Sequence, residues 1–170
     1  MGRGAQIVLT SNPLPIPESY WVIPGRFLTS EYPGAYSESQ TARRLDAFLE
    51  AGLDTFIDLT SPSELSPYKA ILVERAKYYG RTTRHLGFPI RDHDVPSVEQ
   101  MTTILDTIDA LLAEGRGICI HCWGGVGRTG TVVGCYLVRH GLTPDSALAQ
   151  IALESADASC LGCLQGRTAA

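Results

Sequence analysis

No stretch of this 170-residue chain approaches the ~20 consecutive apolar residues that a membrane-spanning helix needs, so no membrane partner is expected. Excess positive charge is also missing. With 14 Lys and Arg against 18 Asp and Glu, the formal net charge is −4. A nucleic-acid partner usually leaves a basic footprint, and none is expected here. A small anion is another matter, because a local site captures it rather than the overall field. A paired cysteine framework is absent too: the five cysteines are Cys119, Cys122, Cys135, Cys160 and Cys163. The start of the chain, Met1 to Pro17, lacks the apolar core of a secretory leader, since Pro13, Pro15 and Pro17 interrupt it. Gln6 stands where a myristoylation signal needs Ser or Thr. The odd cysteine count and the lack of a leader argue against a disulfide scaffold, although Cys160 and Cys163 could pair with each other or with Cys122, and they predict a cytoplasmic protein.

What is present fits one soluble domain, with 44% hydrophobic and 19% charged residues. Residues 1–19 read as an extended arm, 20–156 as the folded domain and 157–170 as a loose tail. Tyr20 to Ile23 and Phe27 to Thr29 read as short strands around a Pro24-Gly25 turn. Ser37 and Gln40 form a capping box that opens a helix stopping near Gly52. Thr55 to Leu59 is a buried strand, and a helix with Pro67 in its first turn runs to about Tyr79. Arg84 to Ile90 is another strand. Ser97 and Gln100 open a long amphipathic helix to Glu114. Gly117 to His121 is a short apolar strand, followed by a glycine-rich turn and a helix to His140. Thr143-Pro144 starts the last helix. Such alternation predicts an α/β fold with a central, mainly parallel sheet flanked by helices. Ligands in such folds bind at the carboxyl ends of strands.

The decisive segment is His121-Cys122-Trp123-Gly124-Gly125-Val126-Gly127-Arg128-Thr129-Gly130. Glycines in a strand-to-helix turn let successive N–H groups converge at a helix N-terminus and make an anion nest from Trp123, Gly124, Gly125, Val126 and Gly127. Cys122 lies at the base of that nest. Arg128, six residues on, can grip two oxygens of a phosphate with its planar fork. A free cysteine is only a few per cent thiolate near neutrality. A helix dipole supplies at most ~2 kcal/mol toward ionising it, so the N–H donors and the Thr129 hydroxyl must supply the rest. His121 can fix the loop backbone through its ring.

This His-Cys-x5-Arg-Thr loop resembles that of the protein tyrosine phosphatase superfamily, in particular its small dual-specificity branch. The resemblance covers the loop, an acid loop upstream and the strand–helix order between about residues 20 and 155. It implies a protein tyrosine/dual-specificity phosphatase-like fold and hydrolysis of phosphate monoesters, on phosphotyrosine and/or phosphoserine and phosphothreonine in proteins, through a phosphocysteine on Cys122. It places the acid loop at Phe88 to Pro96, with Asp92 the best match for the general acid and Asp94 the reserve. Asp58 more plainly ends a strand. No metal or cofactor is required, since Arg128 and the nest supply the positive potential.

Other readings of the same residues are weaker. Gly125 to Gly130 spells the dinucleotide fingerprint G-x-G-x-x-G, but no second strand with an acidic residue follows. A mere helix start with a packed cysteine needs no arginine at that spacing. Cys119-x-x-Cys122 with Cys160-x-x-Cys163 suggests zinc, but side chains along a strand diverge. A phosphoresidue-binding module without turnover, a phosphatase of small metabolites, and an arsenate- or sulfur-transferring enzyme remain alternatives. The nest holds no lysine, which disfavours highly phosphorylated inositol lipids. Trp123 lines the cleft mouth or packs on the neighbouring loop. Cys119 and Cys135 read as core.

Overall fold

A computed structural model describes residues 12–165, with side chains through residue 156. Five strands and five helices follow in the order β1 (Ser19–Ile23), β2 (Phe27–Ser30), α1 (Glu38–Glu50), β3 (Thr55–Asp58), α2 (Lys69–Tyr78), β4 (Arg84–Gly87), α3 (Val98–Ala113), β5 (Ile118–His121), α4 (Gly127–Arg139) and α5 (Pro144–Gln165). The sheet order is β1-β2-β5-β3-β4, parallel except for β1. The expected α/β architecture is therefore the observed one. β5 is the middle strand, and His121 at its carboxyl end pairs with both Ser30 and Asp58. The ends of β2, β3 and β5 thus lie on one edge, where the turn after β5 begins.

The two-residue period of the strands divides the core. Phe27, Ile57, Ile118, Ile120 and Cys122 pack with α3 and α4 side chains such as Ile108 and Val133. Leu28, Phe56 and Cys119 pack on the other face with Leu45, Phe48 and Leu72 of α1 and α2. Both capping serines act as expected, accepting from the Gln40 and Gln100 N–H groups at 3.2 Å each. The Gln100 side chain does not turn back to its cap. It donates to the Pro89 carbonyl at 2.9 Å and ties α3 to the loop after β4.

Four boundaries differ from the sequence reading, the first being β4, which stops at Gly87 rather than Ile90. Residues 12–18 of the expected arm are packed: Ile16 is buried against α1 and α2, and the Trp21 indole donates to the Asn12 carbonyl at 3.1 Å. Leu14 and Ile16, set among the prolines, pack this segment onto that cluster; residues 1–11 lie outside the described residues. α2 begins at Lys69, with Tyr68 as its cap, so Pro67 precedes the helix. α5 continues through the start of the expected tail to Gln165, and residues 166–170 lie outside the described residues. Among the described residues, no helix is long and apolar enough to cross a membrane.

Candidate functional site

The turn between β5 and α4 holds the predicted constellation. Cys122 is only 3% exposed and stands at the end of the middle strand. Val126 caps α4 without a side-chain hydrogen bond, so the first N–H groups of the helix stay open to the turn, as an anion would need. Gly125 is the residue that closes the turn. Its φ is +69°, and an added Cβ would stand 2.5 Å from the Ser30 carbonyl oxygen and 2.8 Å from the Glu31 nitrogen. Gly125→Ala is expected to cost about 1–3 kcal/mol of stability. It should also weaken inorganic phosphate binding, as read by urea titration with and without phosphate. Equal midpoints for the two proteins would contradict the close approach.

Arg128 and Thr129, in the first turn of α4, are buried. The Arg128 donors can be accounted for one by one. Nη1 donates to Glu64 Oε2 at 2.9 Å and to the Ile90 carbonyl at 3.1 Å, and Nη2 donates to Glu64 Oε1 at 2.6 Å. Asp92 Oδ1 lies 3.4 Å from Nη2, beyond a strong hydrogen bond. The end-on fork is thus committed to Glu64. The Nε–H and the second Nη2 hydrogen remain as a side-on fork for two oxygens. Arg128 in turn holds the Glu64 carboxyl below its ordinary range. The Thr129 hydroxyl is buried and has no hydrogen-bond partner among the described residues.

His121 faces the other way. Burial above all lowers its pKa to about 4, against the opposing charge of Asp58. Tyr68, fully buried and with its phenol pushed well above the ordinary value by that burial, meets His121 Nε2 at 2.6 Å. The phenol is therefore the donor, which leaves the ring proton on Nδ1. That nitrogen faces Asp58 Oδ1 at 3.8 Å and the Cys122 backbone without a well-formed hydrogen bond to either. Asp58 ends β3, as expected. Burial alone would raise its pKa, but the His85 ring, nearby His121 and the Thr60 hydroxyl and N–H together hold it at about 2.

Both shifts act in the same direction on stability. The His121 site prefers the neutral ring, so its full stability is present above the unfolded value of 6.5 and falls as pH drops towards 4. Asp58 contributes fully above its ordinary 3.8, and that contribution is lost as pH falls through about 2. These shifts correspond to losses of about 3 and about 2 kcal/mol. Urea midpoints should fall steadily below pH 6.5. A midpoint flat from pH 7 to 4.5 would refute a neutral, buried His121.

The loop after β4 brings Asp92 beside Arg128. Asp92 is half-exposed and lies 3.6 Å from His93 Nε2. His93 has a positive φ of 60°, and the Asp94 N–H donates to the Arg91 carbonyl at 3.0 Å, which makes the turn tight. Asp94 accepts from the Val95 N–H instead and points into solvent. Of the first-ranked Asp92 and the reserve Asp94, Asp92 is the one that lies beside Arg128.

Glu64 and Tyr68 were not singled out from the sequence. The available signal is topological: both follow β3, whose carboxyl end lies on the same edge as that of β5. Cys119 is buried, as expected, with its sulfur 3.2 Å from Ser30 Oγ, and burial pushes its thiol up to about 12. It faces the sheet side opposite Cys122, so the two share neither a metal nor a disulfide. Cys135 is exposed rather than core, because α4 buries Val132, Val133, Tyr136 and Leu137 on the opposite stripe. The side chains of Cys160 and Cys163 lie outside the described residues. Trp123 is exposed and lines an adjoining cavity, while its carbonyl accepts from the Tyr32 N–H at 2.8 Å.

Comparison with known proteins gives concordant results. A family model described as "polymorphic toxin system, DSP-PTPase phosphatase" matches residues 33–142. The phosphatidylinositol 3,4,5-trisphosphate 3-phosphatase and protein-tyrosine-phosphatase PTEN1 of Arabidopsis thaliana is 31% identical over 97 residues, covering 54% of this chain and 23% of its own length. The dual specificity protein phosphatase CDC14B of Mus musculus is 30% identical over 129 residues, covering 71% of this chain and 24% of its own. The match therefore spans about a quarter of either relative. The crystal structure of Tk-PTP in its active form superposes with a TM-score of 0.63 at 31% identity, covering 81% of this chain and 84% of that one.

Proposed function

The chain belongs to the DSP-PTPase family of dual-specificity and protein-tyrosine phosphatases, and from that premise we propose that it hydrolyses phosphate monoesters of proteins, on tyrosine and/or serine and threonine, with Cys122 as nucleophile. One observation carries this reading. The unused fork of Arg128 stands beside both the uncapped N-terminus of α4, with Cys122 at its base, and the Asp92 carboxyl.

The α4 N–H groups and Arg128 hold the nonbridging oxygens of the phosphoryl group. The Cys122 thiolate attacks phosphorus, the bond to the ester oxygen breaks, and Asp92 gives that oxygen a proton. Water then attacks the phosphocysteine and loses a proton to Asp92. Inorganic phosphate leaves, and the thiolate and the acid are restored. The Thr129 hydroxyl, otherwise without a partner, donates to the sulfur as it departs. Glu64 positions Arg128, while Tyr68 holds the His121 ring and with it the start of the loop. Each step uses only backbone N–H groups and side chains of this chain, with water.

An assay with a small aryl phosphate tests the reading. Turnover inhibited by vanadate, with one phosphoryl group trapped on the Cys122 peptide after acid quench, is the expected result. Phosphopeptide binding without turnover would favour a recognition module instead, and transfer of sulfur would favour a different chemistry on the same loop.

A further inference from the structure

A cavity of about 720 Å³ adjoins the phosphate loop. Trp123, next to the nucleophile, forms one wall, and Tyr32 and Tyr36 from the segment after β2 form another. Tyr36 is fully exposed and Trp123 is 64% exposed. Large aromatics held open to solvent beside a reaction centre are contact surface without an internal partner.

The charges along the cavity are unequal. Arg44 and Glu31 pair at 2.6 Å, and Arg44 also donates to the Tyr32 carbonyl at 3.3 Å, so these two neutralise each other. Arg43 also lines the cavity, is exposed, and has no ion pair or hydrogen bond among the described residues. Gln40, one turn earlier on α1, lines the same side with its amide uncommitted. The cavity is therefore aromatic on the side of the phosphate loop and cationic on the side of α1.

We propose that this cavity selects substrates carrying a second anionic group beside the phosphoresidue, held by Arg43 and Gln40, while the intervening peptide lies across Trp123 and Tyr36. The second anion is a carboxylate of Asp or Glu or a second phosphate; the two share the chemistry that Arg43 recognises. This rests on the phosphatase reading and adds a substrate class to it.

The test uses phosphopeptides identical except for flanking residues that are acidic, neutral, basic or themselves phosphorylated. For the native protein, kcat/KM should be about fivefold higher with an acidic flank than with a neutral one, the size expected of a partly exposed ion pair. The preference should shrink as salt rises. Arg43→Ala should bring the acidic-to-neutral ratio to one, and Arg43→Glu should shift preference to the basic flank. The phosphorylated-flank peptide separates the two anion sources: it ranks above the carboxylate peptide if a phosphate is the better fit, and level with it if charge alone is read. Aryl phosphate turnover, measured beside each protein, reports the phosphate loop alone. If it is absent in the native protein, the phosphatase reading fails, and the same ratios are then read from Kd by fluorescence anisotropy. A native ratio of one, an equal drop for every peptide in Arg43→Ala, or a preference for nucleoside monophosphates untouched by Arg43→Glu would overturn the proposal.

Discussion

Cys122→Ser is expected to remove turnover by at least about 10³-fold while leaving phosphate-site binding within a few-fold of the native protein. The side chain is 3% exposed and packs in the α3–α4 core layer, and serine occupies nearly the same space, so the nest and Arg128 should persist. What is lost is an ionisable nucleophile. A serine hydroxyl needs a base within hydrogen-bond reach, and the neighbouring histidine cannot be that base. His121 Nε2 is occupied by the Tyr68 phenol, and its Nδ1 faces Asp58. Asp92 must be protonated in the first step and is unavailable for the same job. The variant should therefore bind phosphopeptides and vanadate without consuming the peptide. Retention of more than a tenth of native kcat would mean that sulfur is not the attacking atom.

The different fates of two features explain what was legible beforehand. The phosphate loop is local: cysteine, glycines and arginine lie within seven consecutive positions, and their roles follow from backbone conformation and spacing. The capped starts of α1 and α3 are local as well, and both serines do what their positions imply. The Glu64 carboxylate that holds Arg128 is 64 residues upstream of it. Only the parallel pairing of β3 with β5 brings their carboxyl ends together. Tyr68 is 53 residues from His121 for the same reason. Such partners are readable only as members of a class, namely polar residues just past the ends of parallel strands. Cys135 is the reverse case: its exposure follows from the helical period of its own segment. Its neighbours are so apolar that composition hid the stripe.

Asp92→Asn carries the second large effect, and its size should depend on what leaves. The amide keeps the shape and the acceptor oxygen beside Arg128 but cannot give up a proton at the departing ester oxygen. General acids contribute about 10²–10⁴-fold when the leaving group is poor. A phosphoserine or phosphotyrosine peptide should lose about 10²-fold or more in kcat. An aryl phosphate whose phenol is strongly acidic departs without help and should lose little, so a plot of log kcat against leaving-group acidity steepens in the variant. The site has a local reason to depend on this one carboxylate. Asp94, two residues on, accepts from its own neighbour's N–H at 2.8 Å and has no contact with Arg128. The loop is held in this register by the tight turn at Arg91 and by the Gln100 tether to Pro89. Asp94→Asn should accordingly stay within a few-fold of native on every substrate. A uniform loss across leaving groups in Asp92→Asn would reduce Asp92 to a positioning role at Arg128. A larger, leaving-group-dependent loss in Asp94→Asn would transfer the acid role to Asp94 and require the loop to rearrange when phosphate binds.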